Sequence, residues 1–127
     1  MPYVRLSLLR GKSDEYLKNV SDAIYDALVE SYEMAENDRF QIINQLEPNE
    51  LIFDRNYFGG PRSDDFMVMT ITAGKDRTIA VKKAFYKRVV ALLHERAGVR
   101  PEDVFIMLET NPLENFSFSS GMSLIPD

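Results

Sequence analysis

Asp38-Arg39-Phe40-Gln41-Ile42-Ile43 and Asp103-Val104-Phe105-Ile106-Met107-Leu108 resemble each other: an acidic residue opens a short apolar run of strand character. Upstream of each lies a second shared marker, Gly11-Lys12 in the first copy and Gly74-Lys75 in the second. The offsets are 63 residues for the Gly-Lys pair (74 − 11) and 65 for the acidic strand starts (103 − 38), so the second copy is two residues longer between its markers. Each Gly-Lys turn also follows an apolar run, Val4 to Leu9 and Phe66 to Thr72. Strand, helix, strand is therefore written twice.

The segments between turn and strand have helical spacing. In the first, Ser13 or Asp14 is a suitable N-cap, and Leu17, Val20, Ile24, Leu28 and Val29 recur on one face with Ala23 and Ala27, ending near Met34. In the second, a helix is expected from about Thr78 to Arg96, with Ile79, Val81, Phe85, Val89, Leu92 and Leu93 apolar. Gly98 stops it and Pro101 prevents its continuation. Phe40, Ile42 and Ile43 are core candidates on a strand from Arg39 to Leu46, and Val104 to Leu108 is the fourth strand. The expected fold is α+β, a two-layer α/β arrangement. Two βαβ repeats form one four-stranded mixed sheet with both helices on one face, and each crossover is right-handed. Repeat one covers about 2–46 and repeat two about 66–108. A connecting excursion over 47–65 carries Pro48, Gly59, Gly60 and Pro61 with a short strand at Leu51-Ile52-Phe53, and a tail covers 109–127, all within one domain. The uncovered side of the sheet is expected to meet other subunits.

Composition removes several function classes. The 127 residues include 45% hydrophobic and 28% charged, a globular balance, and the net charge of −5 is wrong for a general nucleic-acid binder. With no cysteine and one histidine, neither a thiolate nucleophile nor a structural zinc site is available. No metal and no cofactor are expected. No apolar run approaches the ~20 residues that cross a bilayer, and the start does not read as a signal peptide, so no membrane partner is expected and the cytoplasm is the default. His94, beside Glu95 and Arg96, reads as a surface residue. Gly59-Gly60-Pro61-Arg62 lacks the phosphate-loop pattern. Asp64-Asp65 and Glu102-Asp103 are adjacent carboxylates in turns and do not make a glycosidase pair.

Pro2 is the informative residue. With Met1 removed, its ring nitrogen becomes a secondary amine at the chain terminus. A reference α-amino group titrates at roughly 7.7–8, and burial or nearby cations would lower that. Such an amine can carry protons near neutral pH. A cation and a partly dry pocket beside it would strengthen such chemistry. Lys75 and Arg77, just past a strand end, and the aromatic tail stretch Glu114-Asn115-Phe116-Ser117-Phe118 are candidates for both. Structural alternatives exist: a solvated turn for Lys75-Asp76-Arg77 and interface packing for Phe116 and Phe118, while Asp38, ahead of the second strand, reads as a turn cap.

Taken together, Pro2 at the head of an apolar strand, the doubled βαβ, Asp38-Arg39-Phe40-Gln41, Lys75-Asp76-Arg77 and Glu114-Asn115-Phe116-Ser117-Phe118 resemble the tautomerase superfamily over nearly the whole chain, nearest to its malonate semialdehyde decarboxylase-like branch. The resemblance implies a homotrimer and a cofactor-independent enzyme. It assigns Pro2 as catalytic amine, Asp38 as the acidic residue that orients water or substrate, and Arg77 as a catalytic, carboxylate-binding cation. Lys75 falls where the decarboxylases have arginine, and lysine lacks the bidentate fork. Phe116 falls where they carry tryptophan, and Phe118 joins the same apolar wall. These departures leave the substrate open. The leading expectation is a tautomerase acting on a small 2-oxoacid or its enol. The alternatives are a decarboxylase of a 3-oxoacid such as malonate semialdehyde and a non-catalytic oligomeric binding protein on the same scaffold.

Overall fold

The structure is a computed structural model that describes residues 2–127, so Met1, whose removal the proline chemistry requires, lies outside the described residues. Its elements are β1 (Tyr3–Leu9), α1 (Asp14–Ser31), β2 (Phe40–Leu46), β3 (Met67–Ala73), α2 (Ile79–Ala97) and β4 (Val104–Thr110), with 3-10 turns at Pro101–Asp103 and Leu113–Asn115. The sheet order is β2-β1-β3-β4. β1 runs parallel to β2 and β3 parallel to β4, while β1 and β3 are antiparallel. Two parallel βαβ units therefore meet along an antiparallel seam.

Alternation along the strands decides which side is covered. Val4, Leu6 and Leu8 of β1 and Met67, Met69 and Ile71 of β3 are buried against Val20, Ile24 and Leu28 of α1 and Phe85, Val89 and Leu92 of α2. Both helices begin on hydroxyl N-caps: Ser13 accepts from the Tyr16 amide and Thr78 from the Val81 amide. α2 ends on Gly98 at φ 67°, a left-handed conformation that suits glycine, and its amide donates to the His94 carbonyl.

The opposite face is open. It carries Phe40, Ile42, Phe105 and Met107, all exposed, together with an Arg5–Glu109 ion pair at 3.8 Å. Phe40 and Ile42 thus stand on the uncovered side rather than in the core, and of the three core candidates on β2 only Ile43 packs toward the helices. Ile79, at the first position of α2, is also exposed. α1 stops at Ser31, short of Met34, because Glu33 takes a positive φ of 56°.

The excursion contains no strand at Leu51-Ile52-Phe53. Side chains hold it instead. Arg62 donates to the carbonyls of Asp54, Tyr57 and Phe58, and Arg55 reaches the Asp64 carboxylate at 2.8 Å. Gly60 is required here: at φ 90° a Cβ would lie 2.3 Å from the Arg55 carbonyl oxygen. The hook so formed presents Ile52, Tyr57 and Phe58 outward, Phe58 at 91% exposure. Among the described residues no helix is long and apolar enough to cross a membrane.

Candidate active site

Strand register places the candidate residues. Tyr3 pairs with Phe40 on one side and with Thr72 on the other. Pro2, one residue earlier, therefore lies at the end of the sheet where Asp38-Arg39 leads into Phe40 and where β3 passes into Gly74-Lys75. The tail leaves from the same end, its first bond running from the Asn111 amide to the Ala73 carbonyl at 2.9 Å. Sequence separations of some seventy residues close up because β1 and β3 are antiparallel neighbours.

Two concavities open at this end. The first, about 260 Å³, is lined by Pro2, Tyr3, Phe40, Phe116, Ser117 and Phe118. Pro2 itself is buried. The rings of Phe116 and Phe118 stack with centroids 5.9 Å apart, and Phe118 meets Phe40 at 5.8 Å. These rings line the cavity beside the buried Pro2. The second concavity, about 460 Å³, is lined by Asp38, Lys75, Arg77, Glu33, Gly74 and Leu113. The structure thus groups Pro2 with the tail aromatics, and Asp38 with the two cations.

The cations differ in environment. Arg77 is 7% exposed, and its guanidinium lies 4.6 Å from the Tyr32 ring centroid. Its Nε donates to the Tyr32 carbonyl at 3.0 Å, Nη1 to the Lys75 carbonyl at 2.5 Å and Nη2 to the Glu33 carbonyl at 3.3 Å. Two of these bonds hold the carbonyls just past the end of α1, and the third holds that of Lys75. The Glu33 carboxylate lies 3.8 Å from Nε, and one N–H on each terminal nitrogen takes no part in these bonds. Lys75 is exposed, and no other described residue takes its ammonium. Asp76, between them, is turned away: it pairs with Lys82 at 2.9 Å and accepts from the Arg77 amide at 3.0 Å. The Lys82 bond chiefly holds the Asp76 carboxyl below its ordinary range. Burial pushes the Tyr32 phenol up, and its hydroxyl has no hydrogen-bond partner among the described residues.

Phe40, which the sequence assigns to the core, lines the first concavity instead. Its position two residues after Asp38, in phase with the open-face Ile42, is the signal that was available. A separate groove of about 320 Å³ lies on the open face beside the excursion, lined by Leu51, Phe53, Phe66, Val68 and Phe105. It is mostly apolar, and the guanidinium of its one lining arginine, Arg62, is engaged by backbone carbonyls. It offers packing surface rather than chemistry.

Comparison with known proteins bears on what this arrangement does. Residues 38–119 match a family model described as "Tautomerase enzyme", and residues 2–59 match a second with the same description. A Bacillus subtilis (strain 168) protein named "Probable tautomerase YusQ" is 37% identical over 121 residues, covering 95% of each chain. A crystal structure of malonate semialdehyde decarboxylase superposes with a TM-score of 0.88 at 28% identity, covering 94% of this chain and 92% of the other. The fold is shared with a fused 4-OT wild-type symmetric trimer, TM-score 0.77 at 16% identity over 95% and 94% of the two chains.

Proposed function

Because the chain belongs to the tautomerase superfamily, in its malonate semialdehyde decarboxylase-like branch, we propose that it is a cofactor-independent tautomerase of a small 2-oxoacid or its enol, with Pro2 as its amino-terminal acid and base. The observation that carries this reading is the burial of Pro2 in an aromatic cavity at the sheet end where Asp38, Lys75 and Arg77 line a second concavity. The neutral amine takes a proton from one carbon or oxygen of the substrate and returns it at another, so the isomer keeps every atom. Lys75 and the two remaining Arg77 N–H groups hold the carboxylate and oppose the enolate charge that develops between the two transfers. Asp38 orients substrate or water beside the amine.

Likeness to a decarboxylase at 28% identity favours a second reading, loss of CO2 from a 3-oxoacid such as malonate semialdehyde. There a protonated Pro2 polarises the carbonyl, the bond to the carboxylate breaks, and the electron pair moves toward the polarised carbonyl. The catalytic unit in either reading is a homotrimer. The exposed Phe40, Ile42, Phe105 and Met107 on the open face and the Ile52, Tyr57 and Phe58 hook support that assembly, as does the trimeric state of the fused 4-OT relative in fold.

The test is turnover of Met-free protein on an enol-pyruvate and on malonate semialdehyde, with Pro2→Ala as control and circular dichroism to verify folding. We expect turnover of one of the two, lost by at least about 100-fold in Pro2→Ala, in the range seen when a general acid–base is removed. The pH profile separates the readings. A basic Pro2 gives kcat/KM rising with pH through the amine's titration, and an acidic one gives kcat/KM falling. A folded Pro2→Ala protein as fast as the parent refutes both.

A further inference from the structure

We infer that Tyr25 is the positioning residue for Asp38, acting through the residues on either side of it; the inference rests on the functional reading of Asp38 given above. Asp38 lies on the irregular link between α1 and β2, which contains two non-glycine residues at positive φ, Glu33 at 56° and Asn37 at 64°. Asparagine tolerates that region better than most side chains, yet an isolated link would not hold one geometry there. Contacts from outside fix both ends. Arg77 ties down the carbonyls of Tyr32 and Glu33. At the Asp38 end the anchor is Tyr25, on the last turns of α1.

The Asn37 amide donates to the Tyr25 hydroxyl oxygen at 3.0 Å. On the other side of Asp38, the Arg39 guanidinium lies 4.0 Å from the centroid of the same ring. Arg39 is steered there by Asp22, whose carboxylate it meets at 2.8 Å, and by the Ser21 hydroxyl at 3.3 Å. Asp22 and Tyr25 are three apart on α1 and so share a face. One half-buried tyrosine, packed against the core, therefore holds residue 37 by its hydroxyl and residue 39 by its ring. The carboxylate between them lines the concavity that contains Lys75 and Arg77. A loop residue needs such support if its carboxylate is to meet substrate at a fixed distance, since a misplacement of about 1 Å lowers rates by about 100-fold.

The experiment is a double-mutant cycle in the full-length, Met-free protein, reading kcat and KM separately for Tyr25→Phe, Asp38→Asn and the pair. Tyr25→Phe removes one oxygen atom and leaves the ring under Arg39. Asn37 is exposed, so water can take its amide, and melting should move by no more than a few degrees. We expect kcat to fall by about 5- to 20-fold with KM within about twofold, because the cations that hold the carboxylate are untouched. In the Asp38→Asn background the same change should have no further effect. Arg39→Ala loosens the link from its exposed side without entering the core. It should show the same pattern at smaller size, and it decides the matter if Tyr25→Phe proves unstable. A parent-like kcat for Tyr25→Phe beside a slow Asp38→Asn overturns the inference and leaves the functional reading standing, and so do losses that add to that of Asp38→Asn. A parent-like Asp38→Asn overturns the role given to Asp38 and the inference with it.

Discussion

Lys12 and Lys75 occupy equivalent places in the two βαβ repeats, each following a glycine after the first strand of its unit, and their surroundings could hardly differ more. Lys12 is half-buried, paired with the Asp65 carboxylate, and 5.0 Å from the centroid of the Tyr16 ring. Its neighbourhood is closed on itself. Arg10 meets Glu47 at 3.1 Å, Ser63 donates to the fully buried Asp103 through its amide and its hydroxyl, and Arg100 meets Glu102 at 2.8 Å. Burial, then the charges of Asp65 and Asp103, push the Tyr16 phenol up to about 12. Lys75, at the opposite end of the sheet because β1 and β3 are antiparallel, is exposed, and no other described residue takes its charge. The same Gly-Lys turn occurs in both repeats. The excursion over 47–65 brings counter-charges to one copy only, and the other copy faces the concavity shared with Asp38 and Arg77.

That asymmetry can be broken at three residues. The largest effect is expected at Arg77. Arg77→Ala should leave the Tyr32, Glu33 and Lys75 carbonyls without their donor, lower stability by about 2 kcal/mol and depress turnover as well. Lys75→Ala should leave melting unchanged but raise KM for the carboxylate substrate by about 10- to 100-fold, the size of one charge-assisted hydrogen bond. Lys12→Ala should do the reverse, with a parent-like rate and a stability loss of about 1 kcal/mol or less. Thermal melts and steady-state kinetics on the three proteins check the set. A KM for Lys12→Ala raised as far as that of Lys75→Ala would erase the distinction between the two ends.

A smaller effect is expected at Asp22. Hydrogen bonds from Lys18, then from Arg39, hold its carboxyl below the ordinary range. Its folded value being depressed, the stabilisation is fully present above the unfolded carboxylate titration, near pH 4, and is lost as pH falls through the folded value. The group is partly exposed, so Asp22→Asn should lower stability at pH 7 by under about 1 kcal/mol, with the difference vanishing in strong acid. Denaturant unfolding at pH 7 and below pH 3 measures both. A difference that persists unchanged in acid would mean the carboxylate charge is not its source.

The repeat, the sheet and both helices were legible in the sequence because each helix buries one face, which writes Val20-Ile24-Leu28 and Phe85-Val89-Leu92 at helical spacing. Strand polarity was harder. A sheet whose open face also carries Phe40, Ile42, Phe105 and Met107 gives no polar side by which to tell outward from inward. The excursion was illegible for another reason. Its shape is set by Arg62 and Arg55 reaching backbone carbonyls and Asp64, contacts no local pattern announces. At the candidate site, Pro2, Asp38, Lys75, Arg77, Phe116 and Phe118 are expectations of the sequence, and the structure gathers them at one end of the sheet in two concavities. The engagement of Arg77 by three carbonyls and the contacts of Tyr25 with Asn37 and Arg39 could not be read there, because both depend on the path of the irregular link that follows α1.

The account stands or falls on the free amine of Pro2, and the most direct measurement compares the same protein with and without Met1. A retained methionine converts the Pro2 nitrogen into a tertiary amide that binds no proton near neutral pH, while every other residue stays as it is. Fractions of known intact mass should be assayed on the better of the two substrates. We expect specific activity to scale with the Met-free fraction and to approach zero where Met1 is fully retained. Equal activity in the two fractions would contradict the account.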